Sequence, residues 1–186
     1  NLQVITSLLR IQASKLDSEE AKSNFQDAIN RIMTMSLIHQ KMYERENLSE
    51  IELHDYFDSL LNDIIRSSIH GEEVKTDVHI GVKSVGAKSI VPLALIITEL
   101  VTNSLKHAFE GEGEKLIQLK INATDDPEEF DLIYYDSGKW KDAERSDSFG
   151  LSLVETFTEQ LEGSFKRDLR DHGSYYHFKL TKIDRL

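Results

Sequence analysis

The chain has no cysteine, two prolines, nine glycines and a single tryptophan among 186 residues. Without cysteine, disulfides, thiol nucleophiles, iron–sulfur clusters and Cys-ligated zinc are excluded. The absence fits a reducing compartment. Long apolar runs are missing too. The longest, Val91 to Ile97, falls far short of the roughly 18 residues that mark a membrane span. No signal-peptide pattern opens the chain. Its first residue is Asn1, already inside an amphipathic pattern, so it reads as a piece of a longer protein, with any sensor or membrane anchor upstream. Positive charge is scarce: 22 Lys and Arg face 33 Asp and Glu, a net charge of −11. That makes the chain a poor candidate for gripping a nucleic-acid backbone, which needs clustered positive charge, and argues equally against an anionic membrane surface. What is present is a globular composition, 39% hydrophobic and 30% charged, long enough for one sizeable core and a smaller appendage.

The first 46 residues hold neither Gly nor Pro and read as two helices. Leu2, Ile5, Leu8, Leu9 and Leu16 mark the apolar stripe of the first. Asp17 or Ser18 is the N-cap of the second, with acids at its positive end. Phe25, Ala28, Ile32, Met35, His39 and Met42 then recur at alternating spacings of three and four, the seam of a helix bundle. A hairpin this short cannot bury both stripes alone, and pairing with a second copy into a four-helix bundle is the simplest remedy. Ser49 to Glu52 is a capping box, followed by a third helix with Leu53, Phe57, Leu60, Leu61, Ile64 and Ile65 inward. Strand-like alternation runs from Val74 to Val82. A helix is expected from Val91 to Phe109, with Pro92 in its first turn. Strands follow at Leu116 to Ile121 and Phe130 to Tyr135, a loop from Ser137 to Ser148, and a helix from Phe149 to Glu162 ended by Gly163. A final hairpin, Ser164 to Leu169 and Tyr175 to Ile183, turns at Asp171-His172-Gly173. The expected class is α+β: an N-terminal helical hairpin over residues 1–46, then a domain over 47–186 with a mixed sheet covered by helices on one face.

On the apolar helix after Pro92, Glu99, Asn103 and Lys106 share one face, and His107 follows Asn103 by four. An amide oxygen can ligate Mg²⁺, a lysine can neutralise phosphate, and a carboxylate can orient a group or accept a proton. On spacing alone, an ordinary solvated helix face is the better reading. Asp136-Ser137-Gly138, at a strand end, is first of all a common turn. Functionally, such a carboxylate can accept a hydrogen bond from the exocyclic amine of adenine and reject guanine, which presents an acceptor there. Ser148 to Val154 places Gly150 at a helix start, where free N–H groups can face phosphate.

Order and spacing say more than any one element. Glu99 to Phe109 (Glu-Leu-Val-Thr-Asn-Ser-Leu-Lys-His-Ala-Phe) resembles the N box of the histidine kinase ATP-binding domain. Asp136-Ser137-Gly138 resembles its first glycine box, and Phe149 to Val154 (Phe-Gly-Leu-Ser-Leu-Val) its second. Asn1 to Leu9 and Leu37 to Tyr43 resemble the dimerisation and phosphoacceptor domain of the HisKA_2 subclass of sensor histidine kinases. The resemblance covers nearly the whole chain. It implies a homodimeric helical hairpin joined to an ATP-binding sandwich of the Bergerat type. The implied activity transfers the γ-phosphoryl group of ATP to a histidine, then to an aspartate in a response regulator receiver domain. The implied cofactors are ATP and Mg²⁺. The implied setting is cytoplasmic, with membrane contact only through segments beyond this chain.

By the same resemblance, Asn103 holds Mg²⁺, Lys106 and His107 lie near the phosphates, and Glu99 positions the reacting groups. Asp136 reads the adenine amine, Gly138 lets the base approach, and Gly150, Leu151 and Ser152 bound the lid and triphosphate. Ser174 falls where the family usually has Thr near the adenine. Two departures stand out. The family's phosphoacceptor His lies just upstream of the Asn-Leu-Gln run, before Asn1. The first glycine box, normally Gly-x-Gly, reads Gly138-Lys139-Trp140, which stiffens the backbone and adds bulk at the pocket mouth. His39 is expected as a core or interface residue. His54, His70, His79, His172 and His177 have no metal-ligand spacing, and Met33, Met35 and Met42 read as packing. Rival readings are a degenerate, non-catalytic dimeric scaffold or phosphotransferase, and an ATPase of the wider Bergerat superfamily with Glu99 activating water.

Overall fold

The computed structural model describes residues 2–43, 53–68, 73–82, 85–109, 113–139, 149–170 and 173–183. The chain divides into two compact units, Asn1–Glu46 and Asn47–Leu186.

The first unit is a hairpin of α1 (Leu2–Ala13) and α2 (Glu19–Tyr43), packed on each other. Ser18 is the cap of α2: its Oγ accepts the Ala21 N–H at 3.3 Å and its carbonyl accepts the Lys22 N–H at 3.0 Å. Ile29 is fully buried, while Phe25, Ala28 and Ile32 of the expected seam are half-buried. The side chains of Met35, His39 and Met42 lie outside the described residues. On α1, Ile5 and Leu8 remain 45% and 59% exposed, beside Val4, Ile11 and, on α2, Met33. One hairpin buries one stripe and leaves the other facing outward.

In the second unit, α3 (Leu53–Ser68) buries Leu53, Phe57, Leu60, Leu61 and Ile64 as expected, with Tyr56 added and Ile65 half-buried. The capping box before it lies outside the described residues. Then follow β1 (Val74–Ile80), α4 (Ala87–His107), β2 (Lys115–Ala123), β3 (Glu129–Asp136), α5 (Phe149–Gln160), β4 (Ser164–Arg170) and β5 (Gly173–Thr181). The five strands form one sheet in the order β1-β2-β3-β5-β4. β1 runs parallel to β2, and every other pairing is antiparallel. This is the mixed sheet expected. Ile117, Leu119, Ile121, Phe130, Leu132, Tyr134, Tyr176, Phe178 and Leu180 alternate onto its buried face. Gln118, Lys120, Asp131, Ile133, Tyr135 and His177 alternate onto the half-exposed one. An antiparallel sheet with one solvated face produces that period of two. α4 packs against both α3 and α5.

α4 departs from expectation at its start. It begins at Ala87 rather than Val91, so Pro92 stands inside the helix and not in its first turn. Gly86, in an extended conformation, begins the helix without a side-chain cap; its carbonyl accepts the N–H groups of Ser89 and Ile90, each at 3.1 Å. Proline costs one helical hydrogen bond here, and complete burial of Leu93, Ala94, Ile96 and Ile97 beyond it outweighs that loss. By length and composition alone Lys88–His107 is apolar enough to cross a membrane, yet it is largely buried as the central core helix of this unit.

α5 ends in a Schellman motif. Gly163 N–H reaches the Thr158 carbonyl at 3.0 Å, and Glu162 N–H reaches Glu159 at 2.9 Å. The left-handed residue is Glu162, with φ 49°. Gly163 serves packing instead: a Cβ there would lie 2.4 Å from the Lys179 carbonyl oxygen. Glu162→Gly should therefore raise stability by about 0.5–1 kcal/mol, by relieving the left-handed strain of a side-chain-bearing residue. A higher urea midpoint at unchanged slope is the expected result.

Candidate functional site

Period-two alternation through Phe130, Leu132 and Tyr134 carries Asp136 onto the buried face of β3, where it has no exposure to solvent. A buried carboxylate must be surrounded by donors, and here three elements supply them. From α4, Ser104 Oγ–H donates to Asp136 Oδ2 at 2.8 Å. From β5, Ser174, the register partner of Asp136, donates to the same oxygen. From the loop, Gly138 N–H donates to Oδ1 at 3.0 Å, closing an Asx turn. Behind Ser104 stands Tyr134, its hydroxyl 2.7 Å from Ser104 Oγ and 3.3 Å from the Leu100 carbonyl. Burial foremost, and then the charge of Asp136, pushes the Tyr134 phenol well above its ordinary value of 10.0. It therefore remains an O–H donor.

The neighbouring residues of the turn are also occupied. Ser137 Oγ accepts the Leu116 N–H at 2.9 Å and donates to the Glu114 carbonyl at 3.0 Å, tying the turn to the start of β2. Gly138 has a packing task. A Cβ on it would lie 2.4 Å from Ala108 Cβ and 2.6 Å from the Ala108 backbone. Lys139 N–H then donates to the Ala108 carbonyl at 2.9 Å. Glycine lets the loop close on the C-terminal end of α4. At β5, Gly173 has φ 137°, and any side chain there would collide with the Asp136 carbonyl.

A second cluster lies on the other side of α4. Glu99 is buried and Asn103 half-buried. Gly150, in the first turn of α5, sits directly over both. A Cβ there would be 3.1 Å from Glu99 Oε2 and about as close to both Asn103 side-chain polar atoms, at 3.4 and 3.5 Å. The N-terminal end of α5, the positive end of its dipole, thus lies next to an acid and an amide. Leu151 is buried and Ser152 exposed. Lys106 and His107, in the last turn of α4, are exposed. Glu99, Asn103 and Gly150 are brought together, as are Asp136, Ser174 and Gly138. Trp140 and the expected lid lie outside the described residues.

No cluster of three His, Asp or Glu able to hold a metal occurs among the described residues. A half-buried amide beside a helix N-terminus suits Mg²⁺ that arrives with phosphate oxygens and keeps its waters. Asn103 is the residue that fits it.

Sequence reading alone passed over Ser104 and Tyr134. Ser104 was detectable, standing between Leu100 and Ala108 on the apolar stripe of α4, where a hydroxyl needs a partner. Tyr134 shares its strand face with Asp136.

A layer of helices on a mixed sheet, with a buried carboxylate and an acid–amide pair along its central helix, is the arrangement the resemblance to a histidine kinase ATP-binding domain leads one to expect. Comparison with known proteins agrees. Residues 1–68 match the HisKA_2 histidine kinase family model. The sensor histidine kinase PdtaS of Mycolicibacterium smegmatis is 29% identical over 175 residues, covering 88% of this chain and 34% of the relative. PdtaS of Mycobacterium tuberculosis is 28% identical, covering 94% of this chain and 36% of that protein. The chain thus spans about a third of the length of these curated relatives. Among solved structures, the histidine kinase domain of the blue-light activated histidine kinase of Erythrobacter litoralis has a TM-score of 0.74 at 19% identity, covering 98% of this chain and 86% of that one. Acinetobacter baumannii AdeS has a TM-score of 0.55 at 13% identity, covering 99% and 96%. These two establish the shared fold. The N-terminal 68 residues are thus similar to the HisKA_2 histidine kinase family, and the chain shares the fold of histidine kinase domains.

Gly138→Ala should destabilise the second unit by about 1–3 kcal/mol, because the added methyl overpacks against Ala108. Gly113→Ala, with nothing within 4 Å of its Cβ, is the control and should stay within about 0.5 kcal/mol. Urea unfolding of the two variants compares them directly.

Proposed function

We propose that this chain is the dimerisation and catalytic core of a histidine kinase, which moves the γ-phosphoryl group of ATP to a histidine and then to an aspartate of a response regulator receiver domain. The observation that carries the reading is the division of α4: Ser104 touches the buried Asp136, while its neighbour Asn103 lies under Gly150 with Glu99. A base bound at one end and a polyphosphate at the other would both be held by one rigid helix.

In this reading Asp136 accepts the exocyclic amine of adenine, with Ser174 beside it. Asn103 offers its amide oxygen to Mg²⁺, which supplies charge neutralisation between the phosphates. Lys106 and His107 add positive charge at the solvent edge, and the N–H groups of Gly150, Leu151 and Ser152 face phosphate oxygens. Glu99, buried and fixed by packing, orients the attacking imidazole or takes its proton. Little covalent chemistry is asked of the protein; positioning and charge stabilisation do most of it. The acceptor histidine belongs to a segment upstream of Asn1. The exposed apolar residues of α1 support a second copy as partner, completing a four-helix bundle. The working site is cytoplasmic, where ATP and receiver domains are found.

Asn103→Ala and Asp136→Ala should each weaken Mg-ATP binding about tenfold or more, the loss of one charge-assisted contact. Titration calorimetry measures it, and parent-like affinity in both variants would sink the pocket assignment. An upstream-extended chain should label on histidine from γ-labelled ATP, while the 186-residue chain should not.

A further inference from the structure

The nucleotide reading gives Asp136 its role but leaves open what aims its carboxylate. An aspartate χ2 torsion is broad and nearly two-fold, so an unrestrained carboxylate samples orientations that miss a planar base. Here the torsion is restrained from three directions. Oδ1 accepts Gly138 N–H, and Oδ2 accepts the hydroxyls of Ser104 and Ser174. Two of these donors, Gly138 and Ser174, belong to the strand end and its register partner, which meet Asp136 in any case. Ser104 differs, because it comes from α4, across the core, 32 residues away in sequence.

Ser104 has one hydroxyl proton and three oxygens in reach: Asp136 Oδ2 at 2.8 Å, Leu100 carbonyl at 3.1 Å, and Tyr134 hydroxyl at 2.7 Å. Tyr134 decides among them. Kept as a phenol by burial, it holds its hydroxyl nearer to Ser104 Oγ, at 2.7 Å, than to the Leu100 carbonyl, at 3.3 Å; with Tyr134 as donor in that pair, the serine proton is left for the stronger acceptor, the carboxylate. The chain of donors runs Tyr134 to Ser104 to Asp136, entirely within the core, since all three residues are buried.

We propose that Ser104, polarised by Tyr134, is a positioning residue that aims the Asp136 carboxylate and so sets the preference of this site for a base bearing an exocyclic amine. This rests on the nucleotide reading above. Adenine offers an amine to a fixed acceptor. Hypoxanthine offers a carbonyl oxygen at the same edge, so acceptor meets acceptor. Once Ser104 loses its hydroxyl, the carboxylate regains torsional freedom and the distinction between the two bases weakens.

The test compares Mg-ATP with Mg-ITP by titration calorimetry on the full chain. The parent should prefer ATP, and Asp136→Asn should abolish the preference. Ser104→Ala should cut the ATP-to-ITP affinity ratio by about tenfold, chiefly through ATP. Tyr134→Phe, which removes one oxygen from a well-packed ring, should cut it in the same direction by a smaller factor, and it serves should Ser104→Ala fail to fold. Equal weakening of both nucleotides would reveal a structural role only and overturn the proposal. So would an unchanged ratio in Ser104→Ala and Tyr134→Phe while Asp136→Asn loses the preference; the nucleotide reading would then survive alone. A parent without preference for ATP would overturn that reading, and this inference with it.

Discussion

A carboxylate sealed from solvent costs several kcal/mol unless its oxygens are met by donors, and Asp136 imposes that demand on the second unit. Meeting it fixes three relationships at once. β5 must pair with β3 so that Ser174 stands opposite Asp136. α4 must be rotated so that Ser104, and not a leucine, faces the strand end. The loop after β3 must turn tightly enough for Gly138 N–H to return to Oδ1. A slip of one residue in the strand register would flip Ser174 to the solvated face and strand the charge. The buried charge thereby specifies geometry more than it adds stability, since an apolar core of the same volume would be no less stable.

That geometry makes α4 a ruler. Successive residues on a helix differ by about 100° and about 1.5 Å along the axis, so Asn103 and Ser104 are close in height but face different neighbours. Leu100, Ser104 and Ala108 look toward Tyr134, Asp136 and Gly138. Glu99 and Asn103 look toward Gly150. In the proposed reading, a ligand with a hydrogen-bonding ring and a charged tail would be held by residues of one rigid helix. Precision of this kind comes from placing the polar groups on a regular element with apolar neighbours locked on either side.

Much of this was legible in the linear sequence. The class of fold, the order of its elements and the inward faces of α3 and α4 follow from period and from residue type. The pairing of Asp136 with Ser174 was reachable only through family resemblance, because strand register is a long-range property that composition does not carry. Pro92 misled: its preference for a first helical turn drew the start of α4 four residues too late, and burial of the residues around it overrode that preference. The close approach of Gly138 to Ala108 is a tertiary contact that its turn signature does not reveal. Ser104 stands apart from the polar face of α4, and a polar residue on the apolar face is the rarer and more informative signal.

The hairpin unit obeys the opposite logic. Among its described residues no buried carboxylate occurs; its signal is exposed apolar surface. Val4, Ile5, Leu8 and Ile11 are spaced to form a stripe along α1, and each stays exposed by close to half or more. Scattered single apolar residues on a surface need no explanation, but a stripe at helical spacing does. The second stripe of each helix pair is what a four-helix bundle uses to hold its two halves. A symmetric pairing would bring the same residues of two copies together, which satisfies the stripe with no further sequence. The two units thus differ in kind: one secures its geometry by burying charge inside a single chain, and the other keeps an apolar face exposed, as the proposed pairing of two copies requires.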